Sequence, residues 1–432
     1  MLRSTLLWCA LAFASRAGCF GPAPGPRPQP QPDAGVPAGT AACKPGNIGG
    51  QKLALVGDTV EEPSVSLQAG CIPWTFQWTL QAPTGSSATL QGADTSRAQL
   101  VPDVAGDYTL SLSVTYDPAN QGVETVARQV TAIAGAPLVD TGTAPYACTD
   151  LLAFFDVVLC THSTAGTDVL DAVTLQKRQS LPEPLVYGLG AAGSLYVLTV
   201  GFTNVNVYVR SWVTDQLNLV NSTYSLTVPG GDVVTGSGQH AFVLDLSSPS
   251  GELNTFDLTT TPIQKLTNQP AISSAVRTPR AVALLPPERL VVVGVSNTAG
   301  GDLMVFDPSS AEGTLPRPAL GIAAVGNYLA LSEGASGVAL YDVSIADYFF
   351  FRVPKLAERS RFISPVAAGQ VASRADGKLL VSFGQQTVLF SSSTDGVLTP
   401  LGLGPVSGKV ALGSFGAYVA AGDGKLHRLA VP

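Results

Sequence analysis

The residues of this 432-residue chain that could do chemistry are few and scattered. Its three histidines, His162, His240 and His427, each stand in a polar, turn-like setting. A histidine-based metal site needs its ligands to converge, and nothing in their spacing brings them together, so we assign no metal and no cofactor. Asp245, Asp257, Asp307 and Asp342 each end an apolar run and have Ser, Thr or Pro within the next two residues. Aspartate at such a place caps a turn by accepting from nearby backbone N–H groups, and we read all of them as structural. Cys160-Thr161-His162 sets a thiol beside an imidazole, but Cys148 at the start of the same unit has the better claim on Cys160. Gly236-Ser237-Gly238 and Gly334-Ala335-Ser336-Gly337 lack the five-residue nucleophile elbow and its strand-to-helix setting. No catalytic residue is assigned.

One further candidate is a contact site. Asp347-Tyr348-Phe349-Phe350-Phe351-Arg352 is the densest aromatic run in the chain. Exposed, Tyr348, Phe349, Phe350 and Phe351 would mark a partner surface. As an interior strand they would be core, and core is the favoured reading.

The elements that must carry these residues are strands. Charged residues make up only 13% of the chain, while 45 Gly and 32 Pro accompany many β-branched residues, a composition of short strands joined by turns. We expect an all-β protein. The net charge of −7 gives no electrostatic reason to bind nucleic acid. Beyond the N-terminus no apolar run is long enough to span a bilayer.

At the N-terminus, Met1-Leu2-Arg3 and the apolar stretch Leu6 to Ala14 read as an export signal, too short to span. Residues 21–39, GPAPGPRPQPQPDAGVPAG, lack any hydrophobic pattern and suit an extended stalk. Once Cys9 leaves with the signal, Cys19, Cys43, Cys71, Cys148 and Cys160 remain. If Cys19 is set aside, the other four pair off in an oxidising compartment.

In Trp74-Thr75-Phe76-Gln77-Trp78-Thr79-Leu80-Gln81 the apolar residues share one parity, as a strand with one buried face requires. Tyr108 to Val114 alternates likewise. Its entry, Pro102-Asp103-Val104-Ala105-Gly106-Asp107-Tyr108, has the spacing of a tyrosine corner, with Trp78 as the facing core tryptophan. Beyond the Gly/Pro/Thr-rich joint 135–145, one unit recurs: an apolar strand, a Gly/Asn/Asp turn, a second strand ending in an aromatic residue or Leu followed by Asp, then a polar turn and a third strand. Ala241–Asp245 with Asn254–Leu258, Leu290–Gly294 with Leu303–Asp307, Tyr328–Leu331 with Val338–Asp342, and Leu379–Phe383 with Thr387–Ser391 are instances. Their aromatics Phe256, Phe306, Tyr341 and Phe390 are 50, 35 and 49 residues apart, which are blade-sized periods. We parse about seven units, with six as the alternative count, starting near Ala147, Leu185, Tyr224, Ser274, Ile322, Phe362 and Val406.

Three resemblances follow from these residues. Ala17-Gly18-Cys19 resembles the bacterial lipoprotein signal, in which the cysteine becomes the lipidated first residue; Arg16 departs from the usual Leu. Phe20, in place of the Asp that retains such proteins at the inner membrane, then implies the outer membrane. Cleavage after Ala14 is the alternative, leaving Cys19 plain. Residues 42–134, through Trp78-Thr79-Leu80, Ala82 to Leu90 and Pro102 to Tyr108, resemble the PKD-like immunoglobulin-fold modules of cell-surface proteins, which are spacers or adhesion units. Cys43 and Cys71 flank the first strand pair and are expected to close that module's edge. Residues 146–432 resemble the broad β-propeller class of the degenerate, seven-bladed kind. Together these imply a signal peptide (1–18), a linker (19–41), a β-sandwich, a second joint and a propeller. The expected function is a non-enzymatic envelope lipoprotein whose propeller binds a protein or glycan partner. The alternative is a propeller enzyme, a metal-dependent lactonase, lyase or hydrolase, which would need a ring of Asp, Glu, Asn or His on the innermost strands.

Overall fold

A computed structural model describes residues 52–432 apart from short segments, the longest being 62–72, 117–122, 225–230, 246–251 and 267–277. Cys19, Cys43, Cys71, Phe349 and Phe350 lie outside the described residues. Every regular element among the described residues is a strand, and the protein is all-β.

Between residues 52 and 133 two sheets share one core. The larger orders its strands Lys52–Leu55, Val123–Ile133, Gly106–Tyr116, Pro73–Gln81; the smaller orders Val60–Glu61, Gln99–Leu100, Leu90–Gln91. Alternation sends Trp78, Tyr108, Leu110, Leu112 and Val114 into the interior between them. Trp78 Nε1 donates to the Thr95 carbonyl at 3.0 Å. Tyr108 is fully buried, and its hydroxyl lies 3.0 Å from both the Val104 carbonyl and Asp103 Oδ1. The polar end of a buried ring is thereby satisfied four to five residues upstream of its own backbone. Gly106, at φ +138, makes the turn into that strand; a Cβ there would come within 2.8 Å of Pro83.

The rest of the chain forms four-stranded antiparallel units at residues 150–181, 188–224, 231–265, 278–315, 321–362 and 368–404, those at 188–224 and 231–265 being joined by a parallel bridge between Ala192 and Gly236. A seventh has three strands from the C-terminal residues 408–429 and takes its outer strand from Asp140–Ala144. The first strand of each sheet packs against the first strand of the next, and that of the last, Gly408–Gly413, packs against Asp150–Phe154 of the first. The sheets thus close a ring of seven blades, called blades one to seven below. Within the expected joint, Asp140–Ala144 forms this closing strand. Asp-Thr-Gly-Thr-Ala carries no apolar alternation, and its partner Leu426–Leu429 sits at the far end of the sequence.

One equivalent position recurs in all seven blades. The third-strand residues Leu170, Tyr208, Phe256, Phe306, Tyr341, Phe390 and Leu429 each pair with the second residue of the second strand. Six of them, Leu170, Tyr208, Phe306, Tyr341, Phe390 and Leu429, follow a bulge in the pairing to the fourth strand. A bulge adds one residue and sharpens local twist, which suits a blade whose outer strand must rotate away from its inner one.

Tyrosines tie blades together at the end that carries the first-to-second and third-to-fourth strand turns. Tyr196, Tyr328 and Tyr418, on second strands, donate to Leu258, Thr394 and Ala172 carbonyls in the following blade at 3.4, 2.8 and 2.7 Å.

A candidate binding face

The opposite end of the ring carries the second-to-third strand turns and the links between blades. Three blades place ionisable groups there that are held by side chains from more than one strand.

In blade one, Asp168 on the third strand accepts from Lys177 at 2.8 Å and from Ser180 at 2.9 Å, with His162 Nε2 at 3.2 Å. Desolvation pushes its carboxyl up, but Lys177, Ser180 and His162 outweigh this and hold it below the usual range. Ser180 bonds to Asp168 rather than to His162, so the three side chains make no nucleophile and base pair. Cys148 and Cys160 form a disulfide beside them.

In blade five, Glu333 is buried directly after the second strand, and Arg361 from the fourth strand reaches it at 2.6 Å. Arg361 also donates to Tyr341 Oη at 2.7 Å, to Glu358 at 2.6 Å and to the Ser336 carbonyl at 2.9 Å. Tyr341 donates to Glu333 at 2.7 Å, and Arg317 stacks 5.6 Å from its ring centroid. Burial and the neighbouring Glu333 carboxylate push the Tyr341 phenol up, so it stays a neutral donor. Glu333, Arg361 and Arg317 were not singled out in the sequence. The pair Glu333–Arg361 is 28 residues apart, and only the ladder between strands two, three and four brings it together.

In blade seven, His427 is buried between two carboxylates: Nδ1 lies 2.7 Å from Asp140 on the closing strand, and Nε2 lies 3.2 Å from Asp423 in the turn between strands two and three. Asp423 Oδ1 also accepts from the Lys425 amide at 3.0 Å. The three histidines stand on three different blades: one, three and seven. Among the described residues no group of three or more His, Cys, Asp or Glu could hold a metal ion.

The repeated aspartates resolve unevenly. Asp257 accepts from the Thr259 amide at 2.8 Å and hydroxyl at 2.6 Å, which caps its turn and keeps its carboxyl low. Asp342 pairs instead with Arg359 at 2.6 Å. Asp245 and Asp307 are placed by backbone register opposite Gly231 and Ser310. Tyr348 pairs with Phe351 as the last rung of the hairpin Val338–Tyr348/Phe351–Phe362, well past the Leu329–Tyr341 end of the neighbouring strand's ladder.

Two hollows open at this end. The first lies at the ring's centre, a cavity of about 160 Å³ lined mostly by aliphatic residues of the innermost strands, with Asp150, Gln370 and Lys409 as its polar side chains. Asp150 accepts from the Leu189 amide at 3.1 Å. The second, of about 420 Å³, lies between blades six and seven among Gly384, Gln385, Val406, Ser407, Gly422 and Asp423. Gly384 opens its two-residue turn at φ +50, a backbone shape that glycine takes without strain.

The fold is that of a β-propeller. The chain is similar to the β-propeller domain of Cps50 (Swd1) from Myceliophteria thermophila, with a TM-score of 0.52 at 10% identity, covering 68% of this chain and 100% of that one. It is also similar, with TM-scores of 0.46 and 0.42, to virginiamycin B lyase from Staphylococcus aureus and to the periplasmic gluconolactonase PpgL of Pseudomonas aeruginosa. The first is 11% identical and covers 68% of this chain and 98% of that one; the second is 14% identical and covers 60% and 83%. No family model and no curated protein matches the sequence.

Proposed function

We propose that this chain is a cell-envelope lipoprotein whose propeller binds a protein or glycan partner through the end built from the second-to-third strand turns. The observation that carries this reading is the way the buried charges at that end are used. Asp168, Glu333, Arg361 and His427 are each held by groups of their own blade, while Asp423 and the turn residues around it face a hollow of about 420 Å³. Charges locked to one another shape a surface; they are not poised for proton transfer. Residues 42–134 would serve as an immunoglobulin-like spacer with Trp78 and Tyr108 as its core anchors, and residues 19–41 as a stalk from a lipid on Cys19 to an outer-membrane site.

Affinity capture from detergent-solubilised envelope tests the binding arm, with the mature chain as bait. A discrete protein or glycan retained over an unrelated propeller bait supports the reading, and eluates that match overturn it. Fractionation of a Cys19→Ala variant tests the anchor: the variant should leave the membrane fraction, and its retention there contradicts lipidation.

A further inference from the structure

The hollow between blades six and seven has a charge pattern of its own. Its described lining combines the backbone of two tight turns, the small side chains of Ser407 and Ala421, the amide of Gln385 and one carboxylate, Asp423; no basic side chain lines it. Asp423 is 45% exposed. His427, itself only 8% exposed, and the Lys425 amide fix its orientation from behind, while Asp140 fixes His427 from the other side at 2.7 Å. A carboxylate has about four acceptor sites, and these two donors leave part of them open.

From this geometry we infer that the pocket takes an ammonium group: a primary amine enters beside Gln385 and Ser407 and donates to the preorganised Asp423 carboxylate. A fixed carboxylate loses little orientational freedom on binding a cation. Partial desolvation pushes the Asp423 carboxyl up, but the Lys425 amide and His427 hold it below the usual range, so it is ionised at neutral pH. The chain's net charge of −7 draws cations toward the surface. A volume of about 420 Å³ admits a whole lysine side chain. Among the described residues no aromatic side chain lines the hollow to stack on a sugar face, which separates this site from a glycan pocket.

The inference rests on reading this end as a binding face, but the two fail separately. Envelope capture can fail while the pocket still binds amines, and the pocket can fail while a partner binds elsewhere on the face.

Saturation-transfer NMR on the full mature chain supplies the test. The probes are n-butylammonium, Nα-acetyl-lysine-N-methylamide, spermidine, methyl β-D-glucopyranoside and 1-butanol. The three amines should receive saturation and the two neutral probes should not. The lysine derivative binding more tightly than spermidine points to a protein side chain as the natural source, and the reverse order to a free polyamine. Asp423→Asn keeps the acceptor for the Lys425 amide and lies in an exposed turn. It should leave the circular dichroism unchanged and weaken amine binding about tenfold, the loss of one charge-assisted hydrogen bond. Equal amine binding by wild type and Asp423→Asn, or preferential binding of the glucoside, overturns the inference.

Discussion

The hydroxyl of Tyr418, near the end of the chain, donates at 2.7 Å to the carbonyl of Ala172 in blade one, 246 residues earlier. Both residues are buried, and the bond crosses the seam where the ring closes. Tyr418→Phe removes the donor and leaves a buried carbonyl unpaired, which should cost about 1–3 kcal/mol in urea unfolding. Burial also pushes the Tyr418 phenol up to about 12. Its folded pKa lies above the unfolded value near 10, so its contribution is complete below about pH 10 and lost as pH rises through about 12. The wild type should therefore lose more stability than Tyr418→Phe across that window.

The Cys148–Cys160 disulfide spans a separation of 12 residues and ties the start of blade one to its second strand. Closing so short a loop in the unfolded chain stabilises the fold by about 3 kcal/mol. A double Cys148→Ser, Cys160→Ser variant should lose about that much in denaturant midpoint, and reductant should lower the wild type toward the same value. An unchanged midpoint would show the bridge to be dispensable.

At the opposite end of blade one, Asp171 caps a turn and meets Arg178. Desolvation raises its carboxyl, but the Thr174 amide, Arg178, the Val173 amide and the Thr174 hydroxyl pull it down to about 2. With the folded pKa below the unfolded value near 4, this stabilisation is present above about pH 4 and is lost as pH falls through about 2. Asp171→Asn should be less stable than wild type at pH 7, and the gap should close in acid unfolding below about pH 2.

In blade five, buried Glu333 pairs with the partly buried Arg361 within a larger network. Removing Arg361 strands the buried Glu333 carboxylate, so Arg361→Ala should cost about 3–5 kcal/mol, whereas Glu333→Met with Arg361→Met should cost much less than the sum of the single changes. Additive losses in that double-mutant cycle would mean that the two side chains do not interact.

Second and third strands were legible in the sequence because they are buried on both faces. Ala241–Asp245 and Leu379–Phe383 read as continuous apolar runs, and Phe256, Tyr341 and Phe390 mark one register position. Innermost and outermost strands were not. Gly188–Ala192 is Gly-Leu-Gly-Ala-Ala, small because the ring centre is narrow, and Lys177–Leu181 is polar because one edge meets water. The closing strand Asp140–Ala144 was the least visible, since its partner is nearly 290 residues away. The candidate site was legible only in its negatives: the isolation of the histidines could be read, but the Asp140–His427–Asp423 array depends on that same closure.

A partner held at the hollow between blades six and seven is the central claim, and Ser407→Arg tests it most directly by placing a guanidinium there. Wild-type and variant baits are compared side by side for what they retain from detergent-solubilised envelope, with matched circular dichroism and thermal unfolding. The account predicts that components held by the wild type are lost from the variant. Identical retention by the two baits would contradict it.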